Sequence, residues 1–296
     1  GMVGNNSCGS NSIAWGTTRD HLLSARGFLA DGSEAVFGPL DAAGLAAACA
    51  SQTLHGRIHR ELRRMLGDAA TRAMIRDSFP RPEVTRRNTG YALDSLMDSA
   101  CFDPASSRPF NVCRLLAGSE GTLFVGVEYE LGLIPLPPPP ALLVVHCNAV
   151  GEALRAAVLV MRLAAVGLIR PTGCELIDDK ILSCTRDNAE QARNRSFVVG
   201  DPAAVLVVEV REQEPAAARR SLDLVERELS TAGLGHAWPR LAGADTDKVW
   251  NLRRAGQGLV NNLPGDAKPR EIVEDTAVAV EDLPAYIADF DRLLAD

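Results

Sequence analysis

GMVGNNSCGSNSIAWGTTRDHLLSARGFLADGS, residues 1–33, is the stretch whose reading decides the fold. Its first half is loop chemistry. Gly4 and Gly9 let the backbone approach a ligand closely, and Gly16 is free to take a positive φ. Asn5, Asn6, Ser7, Ser10 and Asn11 add short polar groups, and backbone N–H groups in such loops form concavities for anions. By residue type this is a cradle for a phosphate or a flavin; a Gly/Asn-rich surface loop is the competing reading. The spacing is not GxGxxG and no strand precedes it, so the dinucleotide fingerprint of a doubly wound sheet does not apply. The second half turns to regular structure. ARGFLADGSEAVFG reads as a β-hairpin, with Asp31-Gly32 able to take the positive φ angles of a tight two-residue turn.

Outward from there the pattern changes twice. Residues 41–79 are rich in Ala and Arg, with apolar positions three and four apart, which predicts helix. Asp41 is placed to cap it, and Pro80 and Pro82 end it. A short helix is expected over Tyr91 to Asp98, and a strand over Leu123 to Leu133. The four prolines 137–140 can continue neither sheet nor helix and mark a domain boundary. Beyond them the chain alternates: strand over 141–149, helix over 150–165, a strand–helix junction over 171–183, strand over 204–212 and helix over 215–232. Two such strand–helix units suggest a ferredoxin-like α+β layer with helices on one face of an antiparallel sheet. The tail reads as a helix around TDKVWNLRRAGQGLV, an apolar strand over 271–278 and a last helix.

Composition excludes several classes of partner. A net charge of −7 argues against a nucleic-acid surface. The longest apolar stretch, Ala149 to Ile169, is broken by Glu152, Arg155 and Arg162, so it reads as an amphipathic helix and not a membrane span. Seven dispersed cysteines without paired spacing suggest reduced, packed thiols in a cytoplasmic protein, and no signal peptide opens the chain. His55 and His59 stand four apart, a spacing that can bind a metal. No third ligand flanks them, so an exposed helix face is the preferred reading and no metal is expected. Glu274 and Asp275 could pair for acid–base work, with structural or substrate-side hydrogen bonding the favoured alternative. Glu120 is expected to hold its turn through backbone N–H groups.

Two phrases bring in a resemblance. Residues 1–33 resemble the phrase GGx(I/V)xNN(A/S)xGxxxxxYGxTRDxVLxxxVVLADG of the FAD-linked oxidases, which share their fold with vanillyl-alcohol oxidase and p-cresol methylhydroxylase. Trp15 takes the usual Tyr place. LLAGSEGTLFVGVE, residues 115–128, resembles the second phrase LLxGSEGTLGxxxE, with Phe124 where a glycine is usual. RRNTGYALDSL (86–96) and LRRAGQGLVNNLPGDAKPREIVEDTAV (252–278) are similar to the large bacterial members that oxidise D-2-hydroxy acids such as D-lactate, glycolate or D-2-hydroxyglutarate.

The resemblance implies an α+β chain. Residues 1–136 would be the second part of the FAD-binding domain, with a helical insertion at about 41–107, and residues 141–296 a ferredoxin-like substrate domain. It implies FAD as cofactor, held by Gly4, Asn5, Asn6, Ser7, Gly9, Ser10, Trp15 and Gly16 from the first phrase and Gly118, Gly121, Thr122 and Leu123 from the second. In the family a hydride leaves the substrate α-carbon for flavin N5 while a base takes the hydroxyl proton. Arginine forks hold the substrate carboxylate. Arg253 or Arg254 is the first candidate for that clamp, Arg87 the second and Lys268 a weaker one; a solvated helix face is the alternative for Arg254. The family's PRGxGTSLxGQ and HAGxGxLH phrases and its iron–sulfur cysteine runs do not occur in the sequence. The chain is therefore expected to be the middle of a longer enzyme, inactive and weak in FAD by itself, or else a truncated relative that works as a binding module. An uncovered apolar face in the first domain is expected to favour self-association. The electron acceptor and the acid oxidised stay open.

Overall fold

A computed structural model describes residues 1–296 apart from 88, 89, 187, 267, 270–272, 274, 275 and 296. The Glu274/Asp275 pair therefore lies outside the described residues, as does half of the strand expected over 271–278; the described remainder, 273 and 276–278, forms no strand. The architecture is mixed α+β with two antiparallel sheets, and the chain divides into two compact units. Unit 1 comprises Gly1–Gly9 and Gly16–Pro135; unit 2 comprises Ser10–Trp15 and Leu136–Asp296.

Unit 1 is built on a three-stranded sheet of β1 (Leu22–Phe28), β2 (Glu34–Phe37) and β3 (Val125–Leu131), with β1 in the centre. The expected hairpin forms between β1 and β2, but its connection is longer than the two-residue turn. Residues 29–33 close it through Leu29 N–H to Ser33 O, Gly32 takes φ 79°, and the Asp31 carboxylate accepts from Ser33 N–H and Oγ–H. Beside a shift of register between β1 and β3, Gly27 permits close approach. A Cβ there would stand 2.2 Å from Val125 O and 2.7 Å from the Phe124 ring. That ring is buried and meets Phe37 edge-on at 5.6 Å between centroids.

Between β2 and β3 the expected helical run is three helices: α1 (Ala42–Ala50), α2 (Leu54–Gly67) and α3 (Ala69–Ser78). Each has its own cap. Asp41 accepts from Gly44 N–H, Thr53 from Gly56 N–H and Asp68 from Thr71 N–H, so every capping residue begins a new helix instead of continuing the last. The short α4 (Leu93–Met97) follows. Their apolar faces pack with Phe37, Phe110, Leu116 and Phe124 into one core. His59 belongs to that interior and not to an exposed face. It is buried, its Nδ1 lies 2.9 Å from His55 O, and its ring stacks on Phe37. His55 Nε2 lies 3.2 Å from Val36 O.

Unit 2 carries β4 (Ala141–Cys147), α5 (Val150–Ala165), β5 (Pro171–Asp178), α6 (Asp179–Arg186), β6 (Ala204–Val210), α7 (Pro215–Thr231), β7 (Arg240–Ala242), α8 (Asp245–Asn261) and α9 (Leu283–Ala295). The sheet order β5-β6-β4-β7, all antiparallel, is that of a ferredoxin-like βαββαβ layer. Alternate residues of β4 and β6 divide between two cores. Leu143, Val145, Leu206 and Val208 meet α5 and α7, whereas Leu142, Val144, Val205 and Val207 meet Leu182, Phe197, Val249 and Leu252. Helices thus cover both faces, not one: α6 and α8 close the second. This is why all seven residues of β6 are buried. Among the described residues no helix is long and apolar enough to cross a membrane.

Candidate functional site

Unit 1 brings the two glycine phrases together. Val3 O accepts from Gly118 N–H at 3.0 Å, and Gly4 O accepts from Glu120 N–H at 2.9 Å. Positive φ angles make this pairing possible at Asn6 (51°), Gly118 (89°), Glu120 (52°) and Gly121 (75°). Asn6 is wholly buried and its Oδ1 accepts from Arg19 N–H. Arg19, also buried, donates from Nε to Arg114 O and from Nη2 to Ala117 O, each at 2.8 Å. A Cβ at Gly118 would meet Arg19 Nη2 at 2.8 Å, so a glycine is needed where that guanidinium passes. Glu120 holds its turn by its own backbone N–H, while its side chain is exposed.

The expected cofactor residues therefore fall into two groups. Asn6 and Gly118 are internal fasteners. Asn5, Gly9, Gly121 and Thr122 are exposed, and Gly4, Ser7 and Leu123 are half-buried beside them. A Cβ added at Gly9 or Gly121 would meet nothing within 4 Å, which leaves backbone open to an approaching group. Ser7 Oγ donates to Asn5 Oδ1, and Thr122 Oγ1 lies 2.7 Å from Tyr91 Oη. This wall of exposed glycines and short polar side chains fits one side of a large anionic cofactor such as FAD. At Gly16 the φ is 75°, and the Asp20 carboxylate occupies the space a Cβ would need while accepting from Thr17 N–H.

Ser10 and Trp15 are the other two expected cofactor residues. They lie in the segment that belongs to unit 2, and Asn11 is the tether. Its Nδ2 donates to Thr172 O at 2.8 Å and to Glu209 Oε1 at 2.9 Å. Glu209 follows Val205 and Val207 onto the α8 face of β6 and is fully buried. It accepts from Thr172 Oγ1, Arg211 Nε and Trp250 Nε1 at 2.8, 2.8 and 2.9 Å. A buried carboxylate demands this many donors. The sequence reading missed this cluster; the one charged residue inside the apolar run AVLVVEV was the signal for it.

The expected substrate arginines are on separate units. On α8, Arg253 grips Glu175 Oε2 through Nε and Nη2, both at 3.1 Å, and Arg254 is exposed with Nη2 2.6 Å from Asn251 Oδ1. Lys268 Nζ donates to Leu263 O. Arg87 belongs to unit 1, where it pairs with Asp94 at 2.9 Å and donates to Pro80 O. All seven cysteines are free thiols, and burial pushes Cys113, Cys147 and Cys174 up to about 12, so these three are packing residues and not nucleophiles. Among the described residues no group of three or more His, Cys, Asp or Glu side chains converges on a metal position.

Comparison with known proteins gives consistent matches. Residues 136–296 match the family model of the FAD linked oxidases, C-terminal domain. The chain is similar to the D-2-hydroxyglutarate dehydrogenase of Pseudomonas putida, with 31% identity over 99% of this chain and 28% of that protein. It is also similar to the Escherichia coli enzyme of the same name, with 28% identity over 99% of the chain and 28% of that protein. The chain thus spans about 28% of the length of these curated relatives. Among solved structures, an alkyldihydroxyacetonephosphate synthase aligns over 88% of this chain and 36% of that one, with TM-score 0.46 and 13% identity.

Proposed function

The chain belongs to the FAD linked oxidases through their C-terminal domain, and from that premise we propose that it is part of an FAD-dependent dehydrogenase acting on a D-2-hydroxy acid, with D-2-hydroxyglutarate the first to test. The observation that carries the flavin half of this reading is the pairing of residues 3–4 with residues 118–120, which sets two glycine phrases side by side as one open wall. Unit 1 is read as the cofactor part and residues 141–296 as the substrate part.

In this reading Gly4, Asn5, Ser7, Gly9, Gly121 and Thr122 hold the cofactor, with Asn6 and Gly118 fixing the loop behind them. When bound, FAD accepts the hydride that leaves the substrate α-carbon. Of the two adjacent arginines, Arg254 is the better clamp for the substrate carboxylate. Arg253 already spends two donors on Glu175, whereas the Arg254 fork is exposed with one neutral partner. An exposed guanidinium becomes a strong anchor once substrate and protein exclude water around it.

The test is a titration of the 296-residue chain with FAD, followed by flavin fluorescence. Weak binding is expected, because one wall supplies only part of the contacts. The Gly121→Val variant should abolish it, since the side chain fills the open space and strains a φ of 75°. Tight, stoichiometric binding would overturn the one-wall reading. A longer polypeptide of the same gene that stays colourless and fails to reduce a dye with any D-2-hydroxy acid would sink the enzyme and favour a binding module instead.

A further inference from the structure

Helix α8 is fastened to its sheet by two carboxylates. Glu209 of β6 accepts from Trp250 Nε1 at 2.9 Å, and Glu175 of β5 takes Nε and Nη2 of Arg253, both at 3.1 Å. In the β5–β6 register Gly173 stands opposite Glu209 and Glu175 opposite Val207, so both carboxylates are on one face of the sheet. Gly173 is the notch beside them. A Cβ there would stand 3.3 Å from Glu209 Cβ and 3.4 Å from Trp250 Cη2, so bare backbone leaves room for the indole. The four donors to Glu209 are divided: Asn11, Thr172 and Arg211 go to Oε1, and Trp250 goes to Oε2. Otherwise α8 meets the sheet through Val249 and Leu252 in the apolar core. Such contacts have no direction and define rotation about the helix axis loosely; the two hydrogen-bonded anchors supply that direction.

We propose that Glu209 is a positioning residue for the substrate, acting through Trp250 to set where α8 presents Arg254. The proposal rests on the reading of Arg254 as the clamp for the substrate carboxylate. A structural role alone does not call for a carboxylate at 209. Val205 and Val207 precede it on the same face, and an apolar side chain there would continue their core. Burying a charge is costly even when it is well partnered, and well-packed apolar residues in place of such a group are often as stable or more so. What the charge adds is geometry. It fixes Trp250, and Arg254 follows four residues later on the same side of the helix. Turning α8 by about 15° would move a guanidinium about 8 Å from the helix axis by about 2 Å. A displacement of that size breaks a two-pronged grip on a carboxylate.

The test is isothermal titration of glutarate into the longer polypeptide of the same gene, loaded with FAD, with KM and kcat for D-2-hydroxyglutarate measured beside it. Glutarate lacks the hydroxyl at the carbon that would lose the hydride, so it binds without reacting. Arg254→Ala should weaken its binding about tenfold or more, the usual loss for a charge-assisted hydrogen bond. Trp250→Phe keeps the ring and removes only the N–H; it should weaken binding about fivefold and raise KM more than it lowers kcat. Glu209→Gln should act in the same direction, and if it does not fold, Trp250→Phe carries the test alone. In the Arg254→Ala background Trp250→Phe should have no further effect, a coupling that general loosening of the fold does not produce. Absence of saturable binding, no loss on Arg254→Ala, affinity unmoved by Trp250→Phe, or an equal loss in both backgrounds would overturn the proposal. A polypeptide that shows the coupling yet oxidises no D-2-hydroxy acid would sink the enzyme reading and leave this proposal standing.

Discussion

Gly27 shows how one residue can be dictated by the strand beside it. Its missing Cβ leaves room for Val125 O and the edge of the Phe124 ring, and Phe124 stands where the resembled phrase carries a glycine. Because the nearest obstacle is a backbone oxygen at 2.2 Å, even one methyl group cannot be accommodated by turning a side chain. Gly27→Ala should therefore cost about 2 kcal/mol, within the range for overpacking a tight core. The urea midpoint of unit 1 measures this; an unchanged midpoint would mean that β1 and β3 can separate locally at no cost. Nothing in the sequence marks this glycine from others, because the constraint is set by a strand about a hundred residues away. Asn6 is the opposite case. The sequence singled it out as a ligand for the cofactor, whereas the fold spends it on Arg19 N–H in the interior.

Elements were legible where their signals were local. The helix expected over 150–165 and the strand expected from 204 start where their residue patterns start, and Asp41 caps its helix as its residue type predicts. The break of 41–79 into three helices was lost because periodicity carried through the caps. The short β7 was missed because its pairing with β4, not its composition, makes it a strand. β4 also carries a pH response that periodicity cannot reveal. His146 is fully buried, Val199 N–H donates to its Nε2, and its Nδ1 lies 3.2 Å from Val144 O, so it is held as the neutral imidazole. Burial lowers its pKa, with a smaller contribution from His236. The unfolded chain, at about 6.5, then takes its proton first. Stability from this group is complete above that value and falls as pH drops below it toward the folded pKa; His59, lowered for the same reason, adds to the slope. Urea midpoints at pH 7.5 and 5.5 should show the fall, and His146→Gln should make it shallower. A flat profile would place the imidazole in contact with water. β3 makes a different prediction. It is an edge strand exposing Val125, Val127, Tyr129 and Leu131, an arrangement that invites pairing with a second copy. Light scattering should show concentration-dependent association that Val127→Lys reduces, and a monomer at every concentration would refute it.

At the scale of the whole chain, the opening stretch serves two cores. Residues 1–9 fasten to the loop at 118–120 in unit 1, residues 10–15 belong to unit 2, and the chain re-enters unit 1 at Gly16. A sequence pattern presents this as one continuous phrase, and no local signal in it marks the passage from one unit to the other. Asn11 ties residues 10–15 to Glu209: a buried carboxylate in β6 needs donors, and Asn11 supplies one of them from outside the ferredoxin-like layer. Removing that donor should weaken unit 2 and leave the core of unit 1 alone. The three tryptophans allow the two to be read apart, because Trp15, Trp238 and Trp250 all fall in unit 2. Asn11→Ala leaves Glu209 short of one hydrogen bond and should lower the tryptophan-monitored unfolding free energy by about 1–3 kcal/mol, the usual cost of stripping a partner from a charged buried group. Gly27→Ala should leave that transition in place and move only the helical signal that unit 1 contributes. Each unit has its own hydrophobic core, so two transitions are the natural expectation. If Asn11→Ala and Gly27→Ala shift the tryptophan signal equally, the units unfold as one cooperative body. If Asn11→Ala shifts nothing, the Glu209 network holds without its contribution from the opening stretch.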